Sequence, residues 1–93
     1  MSKFNVTSTS QVVLPYGERQ GWTIQNISDV TINITFDGSL TVTTSTGTNP
    51  GVTLVPQEKM SVTAGARDMT SPWNQVCAIH GSAGNKEISI QTW

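Results

Sequence analysis

A strict two-residue alternation between large apolar and small polar side chains runs through residues 30–36. The apolar positions are Val30, Ile32, Ile34 and Phe36, and the polar positions are Thr31, Asn33 and Thr35. Because successive side chains of a β-strand point to opposite faces, the pattern predicts an antiparallel strand. One face should line the core and the other should face solvent or a partner. Asp37-Gly38 follows directly and predicts a tight hairpin to a second alternating run, Leu40–Thr44.

The same short-period pattern recurs along most of the chain. Further strands are predicted at Val12–Leu14, Gly21–Asn26, Val52–Val55, Lys59–Thr63, Val76–His80 and Lys86–Thr92. No segment has apolar residues at helical spacing, and turn-forming residues interrupt every candidate helix. About eight short strands at this spacing predict an all-β fold, either an antiparallel β-sandwich or a jelly-roll-like barrel, with no significant helix.

The 93 residues fit a single domain. We assign residues 11–93 to the β-sandwich. Residues 1–10 are polar and lose their alternation after Val6, so we expect an N-terminal arm that is either disordered or ordered by binding. A domain of this size has a thin stability margin, which oligomerisation would widen.

Charge excludes several classes of partner. Charged residues are 12% of the chain, and the formal net charge is -1. Five basic residues are too few for a nucleic-acid-binding stripe, and no apolar run approaches the roughly 20 residues of a membrane helix. No hydrophobic signal core follows Met1, so we expect synthesis in a cytoplasm. The nearly uncharged polar surface is typical either of an ordinary Thr-rich β-protein or of an assembly surface.

Cys77 and His80 are the one pair whose residue types could form a catalytic dyad. They lie three residues apart on a predicted strand and therefore on opposite faces, which excludes a dyad between them. We expect Cys77 to share a core face with Ile79 and His80 to be a surface side chain. No metal-ligand spacing, paired carboxylates, phosphate loop or nucleophile motif is present. The sequence predicts no catalytic residue, no metal ligand, no cofactor and no enzymatic activity.

Aromatic side chains are the remaining candidates for binding. Trp22 alternates with Ile24 and is expected in the core, whereas Tyr16 lies in a Pro-Tyr-Gly turn and should be half exposed. Trp73 lies in a loop, where it can plug the sandwich or anchor a partner, since tryptophan is enriched in interface hot spots. Trp93 should pack on its own domain or insert into a neighbour. The residues predicted to contact a partner are Phe4, Val6, Met69, Trp73 and Trp93.

Three stretches resemble a known class of proteins. They are R-Q-G-W-T-I-Q-N-I-S-D-V-T-I-N-I-T-F-D-G at 19–38, G-V-T-L-V-P at 51–56 and V-C-A-I-H-G-S-A-G-N-K-E-I-S-I-Q-T-W at 76–93. After the N-terminal apolar run, they make residues 11–93 similar to the small β-sandwich virion proteins of tailed bacteriophages, such as head decoration or cement proteins. The resemblance implies no catalytic residues. It implies a subunit present in many copies, often as trimers, that contacts the capsid through an edge and an arm.

The expected function is therefore that of a non-enzymatic structural virion protein, most specifically a capsid decoration or cement subunit that stabilises the head. Its expected partners are copies of itself, as a homotrimer, and the major capsid protein or another virion protein, with no nucleic acid and no membrane. The alternative is a carbohydrate- or receptor-binding β-sandwich of a tail tip or fibre. In that case, Trp73 and Tyr16 are the candidates to stack on sugar rings.

Overall fold

A computed structural model describes residues 2–36, 41–44, 46–63 and 73–93. Within these ranges the chain forms eight β-strands and no helix, and thus no helix that could cross a membrane. The strands are β1 Ser2–Val6, β2 Gln11–Leu14, β3 Gly21–Asn26, β4 Ile32–Thr35, β5 Val52–Leu54, β6 Lys59–Thr63, β7 Val76–His80 and β8 Lys86–Thr92.

The strands form two four-stranded antiparallel sheets packed as a sandwich. The first sheet has the order β1-β8-β3-β6, and the second has the order β2-β7-β4-β5. The chain can be followed as a ribbon of four antiparallel strand pairs that alternate between the two sheets. The pairs are β1 with β8, β2 with β7, β3 with β6 and β4 with β5. This strand order is that of a jelly roll. The predicted all-β sandwich is confirmed.

The core lies between the inner faces of the sheets. Its fully buried large side chains include Trp22, Ile24, Ile32, Ile34, Leu54 and Ile88. The indole of Trp22 meets the ring of Phe36 edge-on, with centroids 5.6 Å apart and an interplanar angle of 70°. The predicted core positions Trp22, Ile32 and Ile34 are confirmed. Each such side chain contributes roughly 1.5–3 kcal/mol through burial.

Asn26 joins the two sheets through buried hydrogen bonds. Its Nδ2 donates to Leu54 O of the second sheet at 2.9 Å and to Val30 O at 2.7 Å. Its Oδ1 accepts from the Ser28 amide at 3.0 Å and from the Ser28 hydroxyl at 2.6 Å. Because every polar atom of this buried amide has a partner, the Q-N-I-S stretch fixes how the chain leaves β3.

The predicted exposure of Asn33 and Thr35 is wrong, because these side chains are only 2% and 3% exposed. Residues 41–44 and 46–51, here called the covering segment, lie over the outer face of the second sheet. Val42 packs with Cys77 and Ile79 in a second apolar cluster. Asn33 Nδ2 donates to Pro50 O at 3.1 Å and to the Thr53 hydroxyl at 3.0 Å.

The prediction that β4 pairs with the run after Phe36 in a hairpin is also wrong. Its neighbours in the sheet are β5 and β7, with Ile34 opposite Val52 and Ala78. Residues 41–44 belong to no strand, and the predicted turn at Asp37-Gly38 lies outside the described residues. The chain crosses the sheet here instead of adding a strand, because doing so buries Val42 against apolar side chains of β7.

The segment expected to be an arm contributes a strand. Ser2–Val6 pairs in regular register with Lys86–Ile90 of β8. Val6 is fully buried in the core, and Phe4 packs against it. Two inward apolar side chains are enough to hold β1 on the sandwich, because β8 supplies the partners for its main-chain hydrogen bonds.

Candidate functional site

The five residues predicted to contact a partner fall into different environments. Val6 is fully buried and Phe4 is partly buried, so the core uses much of their apolar surface. Met69 lies outside the described residues. Trp73 and Trp93 are 40% and 49% exposed, and they border the same concavity at one end of the sandwich. Among the described residues of the predicted set, these two indoles are the exposed side chains.

The connection between β2 and β3 is held between these two tryptophans. Trp73 O accepts from the Gly17 amide at 3.0 Å, and Trp73 Nε1 donates to Arg19 O at 3.1 Å. Trp93 and Gly21 exchange two main-chain hydrogen bonds, each at 3.2 Å, and Trp93 O also accepts from the Gln20 amide at 2.5 Å. The tryptophans therefore set the shape of the connection that forms this end of the molecule.

A glycine at position 21 allows the indole of Trp93 to approach the backbone. A Cβ atom placed on Gly21 would lie 2.8 Å from the Trp93 ring and 2.7 Å from Val62 O. Both distances are too short for any side chain. The ring of Trp93 is thus supported by the Gly21 backbone while about half of the side chain stays exposed.

Two concavities join at this end of the sandwich. The larger, about 620 Å³, is lined by Leu14, Pro15, Glu18, Arg19, Gln20, Trp73, Thr92 and Trp93. The smaller, about 370 Å³, lies between β1 and β2 and is lined by Lys3, Phe4, Val13, Leu14, Ile90, Gln91 and Thr92. Leu14 and Thr92 belong to both, so we describe them together as the end groove.

The end groove combines aromatic surface with neutral polar groups. Gln20 and Thr92 line the larger concavity and carry an amide and a hydroxyl that both donate and accept hydrogen bonds. The charged residues of this concavity are one acid, Glu18, and one base, Arg19. Arg19 Nη2 donates to Pro15 O, which holds the guanidinium beside the connection. This composition suits the binding of a polar ligand.

The sequence predicts the two indoles of this groove as partner-binding residues but does not predict its polar lining. Glu18, Arg19 and Gln20 follow the Pro-Tyr-Gly turn, and nothing in their spacing shows that Thr92 lies opposite them. Tyr16 is 68% exposed, more than predicted, and its side chain does not line the groove. The pairing of β3 with β8 places Trp22 opposite Thr92. It therefore brings Thr92 next to the connection that carries Glu18, Arg19 and Gln20.

Cys77 and His80 lie on opposite faces of β7, as predicted. Cys77 is fully buried and shares a face with Ile79, as predicted, but that face is the outer one, where both pack with Val42 and not in the core between the sheets. Burial raises the pKa of its thiol, and a hydrogen bond with Thr35 acts in the opposite direction. A buried thiol of raised pKa is a poor nucleophile.

The prediction that His80 is a surface residue is wrong, because its side chain is fully buried. Its Nδ1 accepts from the Ser82 amide at 3.1 Å, so the proton lies on Nε2, which faces Gly84 O at 2.8 Å. Gly84 has a φ of 76°, which curves the turn between β7 and β8 over the ring. His80 therefore holds a turn in place. Among the described residues, no three His, Cys, Asp or Glu side chains cluster as metal ligands.

A comparison of the chain with protein-family models, with curated proteins and with solved structures found no match. The functional interpretation therefore depends on the strand order, the surfaces of the sandwich and the chemistry of the end groove.

Proposed function

We propose that the chain is a non-enzymatic structural subunit of a tailed-phage virion, acting as a capsid decoration or cement protein. The observation that supports this most is the strand order, because the jelly roll recurs in viral capsid proteins. The same fold also serves unrelated functions, so it is not sufficient alone. The resemblance of residues 19–38, 51–56 and 76–93 to small virion proteins supports the same assignment.

Assembly with further copies fits the open edges of the first sheet. Among the described strands, β6 pairs with β3 alone and β1 pairs with β8 alone. Lys59–Thr63 keeps a regular register with no bulge and contains no proline, whereas the edge strand β2 is irregular between Val12 and Leu14. Bulges and prolines protect edge strands from pairing with another chain, so β6 is less protected than β2.

A trimer needs a contact between two different surfaces, since a surface that pairs with its own copy closes a dimer. We therefore assign the contact to β6 of one copy and the β1 edge of the next. Three such contacts would close a ring and leave the described edges of the first sheet paired. The thin stability margin of a domain this small favours such an assembly.

The backbone of Ser61 offers a selective test of this contact. Gly21 bonds to Trp93 on the β8 side, and bonding alternates along a strand, so Trp22 and Ile24 bond toward β6. Ser61, opposite Thr23, consequently directs its N–H to the open edge. Ser61→Pro removes that donor without removing a bond to β3.

Sedimentation equilibrium at micromolar concentration measures the outcome. The parent chain should sediment at three times the 10.0 kDa chain mass, and Ser61→Pro should sediment as a monomer. Ser61→Ala is the control, because it loses the hydroxyl contact with Thr23 at 2.7 Å but keeps the N–H. A parent that is monomeric, or a Ser61→Pro variant that stays trimeric, would contradict this assembly.

The virion assignment itself is tested by quantitative mass spectrometry of gradient-purified particles of a phage that encodes the chain. A decoration subunit should be present in many copies per particle and in constant ratio to the major capsid protein. Its absence from purified particles would overturn the proposal, whatever the oligomeric state in solution.

A further inference from the structure

We propose that the end groove is a binding site for a neutral oligosaccharide, with the indole of Trp93 as its main stacking surface. The site goes beyond the structural role and does not depend on it. The proposed assembly pairs β6 with the β1 edge of the next copy, and β1 borders the smaller concavity through Lys3 and Phe4. The stacking surface of Trp93 lies in the larger concavity, to which neither β1 nor β6 contributes. Ser61→Pro and substitutions of Trp93 therefore test the two proposals separately.

Trp93 has the properties of a preorganised stacking surface. Sugar rings present faces of C–H groups that pack on aromatic rings, and an indole offers the largest such surface. The main chain of Trp93 is hydrogen-bonded to Gly21 and to the Gln20 amide, and the ring lies against the Gly21 backbone. A ring that is already held in place loses little conformational entropy when a ligand binds.

Trp73 forms the other aromatic border of the groove. Its Nε1 donates to Arg19 O at 3.1 Å, which fixes the orientation of the indole while 40% of the side chain remains exposed. The connection that carries Glu18, Arg19 and Gln20 lies between the two indoles. A ligand in the groove would therefore meet aromatic surface at both sides and polar groups between them.

The polar lining matches hydroxyl groups better than it matches a strongly charged ligand. Sugar hydroxyls both donate and accept hydrogen bonds, as do the side chains of Gln20 and Thr92. One acidic and one basic side chain in the larger concavity create no strong field of one sign. The guanidinium of Arg19 already donates to Pro15 O. The lining therefore favours a neutral ligand over a polyanion.

The shape of the groove indicates more than one sugar unit. The two concavities meet at Leu14 and Thr92 and together extend from Trp73 to Lys3 and Phe4. A single ring would occupy only one of them. A protein partner is the competing occupant, but the buried centre of a protein interface is largely apolar, whereas polar side chains recur along this groove.

Nuclear magnetic resonance of the ¹⁵N-labelled protein tests the site directly, because the chain contains three indole N–H groups. The probes are neutral tetrasaccharides of β-1,4-linked glucose, β-1,4-linked N-acetylglucosamine, α-1,4-linked glucose and β-1,4-linked mannose, each titrated to 10 mM. With at least one probe, the signals of Trp93 and Trp73 should shift and saturate. The signal of Trp22, which is fully buried in the core, should not move.

Substitutions locate the binding. Trp93→Ala should raise the dissociation constant at least tenfold, and Trp93→Phe, which keeps a smaller ring, should raise it less. Tyr16→Ala is the matched control, since Tyr16 is the more exposed aromatic but does not line the groove. Should Trp93→Ala fail to fold, Trp93→Phe and Gln20→Ala provide the same test. Binding should be unchanged by 0.5 M NaCl.

Three results would overturn the proposal. The first is that no probe shifts either indole signal. The second is that binding persists in Trp93→Ala or is lost in Tyr16→Ala. The third is that the two indoles respond to the isolated major capsid protein and not to the sugars, which would make the groove a protein interface. Sedimentation of the same samples reports assembly separately, so failure of one proposal is distinguishable from failure of the other.

Discussion

The outer faces of the two sheets differ in whether they meet solvent. On the first sheet, the outward side chains are polar and mostly exposed, apart from the buried Ser89 in the middle of β8; the others are Lys3, Asn5, Thr23, Gln25, Lys59, Ser61, Thr63, Glu87 and Gln91. On the second sheet, Asn33, Thr35, Cys77 and Ile79 also point outward, yet all four are buried. The difference comes from the covering segment, which lies over the second sheet and has no counterpart among the described residues over the first.

This difference shows what strand periodicity can and cannot determine. Alternation assigns side chains to two faces, because the period of a strand is two residues. Whether an outer face meets water depends on a segment that can be distant in sequence. Asn33 and Gln25 illustrate this point, since both are polar, outward-pointing and in an interior strand of their sheet, but only Asn33 is buried.

The largest loss of stability is expected for a substitution in the core, between the inner faces of the two sheets. Ile34→Ala removes a fully buried inward side chain of β4 and should lower the free energy of unfolding by about 2–5 kcal/mol. Urea denaturation measures this loss, with Ser61→Ala as an exposed control. A loss no larger than that of Ser61→Ala would show that β4 does not present Ile34 to the core.

The second prediction concerns the anchor of the covering segment. Gly51 has a φ of 60°, and a Cβ there would lie 2.1 Å from Ile34 O of β4. Gly51→Ala should therefore cost about 1–3 kcal/mol through backbone strain and steric overlap. Gly84→Ala is the control, since Gly84 also has a positive φ but nothing lies within 4 Å of the added atom. Equal losses in thermal or urea melts would indicate that Gly51 does not pack against β4.

The third prediction compares outward residues of the two sheets. Asn33→Ala leaves Pro50 O and the Thr53 hydroxyl without a buried donor, so it should cost about 1–2 kcal/mol. Gln25→Ala removes one exposed hydrogen bond, to Gln57 O, and should change stability by less than about 0.5 kcal/mol. If the two variants unfold at the same urea concentration, the outer faces are not differently covered.

The local pattern predicted most of the strands and the core, but not the features that depend on long-range contacts. The positions of Trp22, Ile32 and Ile34 follow from alternation alone. The burial of His80 depends on the turn that folds back onto it, and β1 depends on the edge that β8 offers. Trp73 and Trp93 stand out in the sequence as loop and terminal tryptophans. Their position around one groove follows from the pairing of β3 with β8 for Trp93 and of β2 with β7 for Trp73, which no local pattern reveals.

The smallest effect concerns the titration of Cys77 beneath the covering segment. Because burial raises the pKa of the thiol above its ordinary value of 9.0, the folded protein holds the proton more tightly than the unfolded chain does. Linkage then requires that this contribution to stability is fully present below pH 9 and is lost as the pH rises from the unfolded pKa toward the folded one. Between pH 8 and pH 10.5, the parent should lose more stability than Cys77→Ala, which has no thiol to titrate.

The same thiol reports whether the covering segment protects its sheet. In the native parent, a disulfide reagent such as 5,5′-dithiobis(2-nitrobenzoate) should modify Cys77 slowly at pH 8, because the thiol is fully buried and thiolate is the reactive form. Val42→Ala removes apolar contact above the thiol and should speed modification, whereas Val55→Ala, at an exposed position, should not. Equal rates for parent and Val42→Ala, each measured well below the rate in urea, would mean that access to Cys77 is not limited by Val42. The covering segment would then be a passive crossing of the sheet, and the burial of the outer face would depend on residues other than Val42.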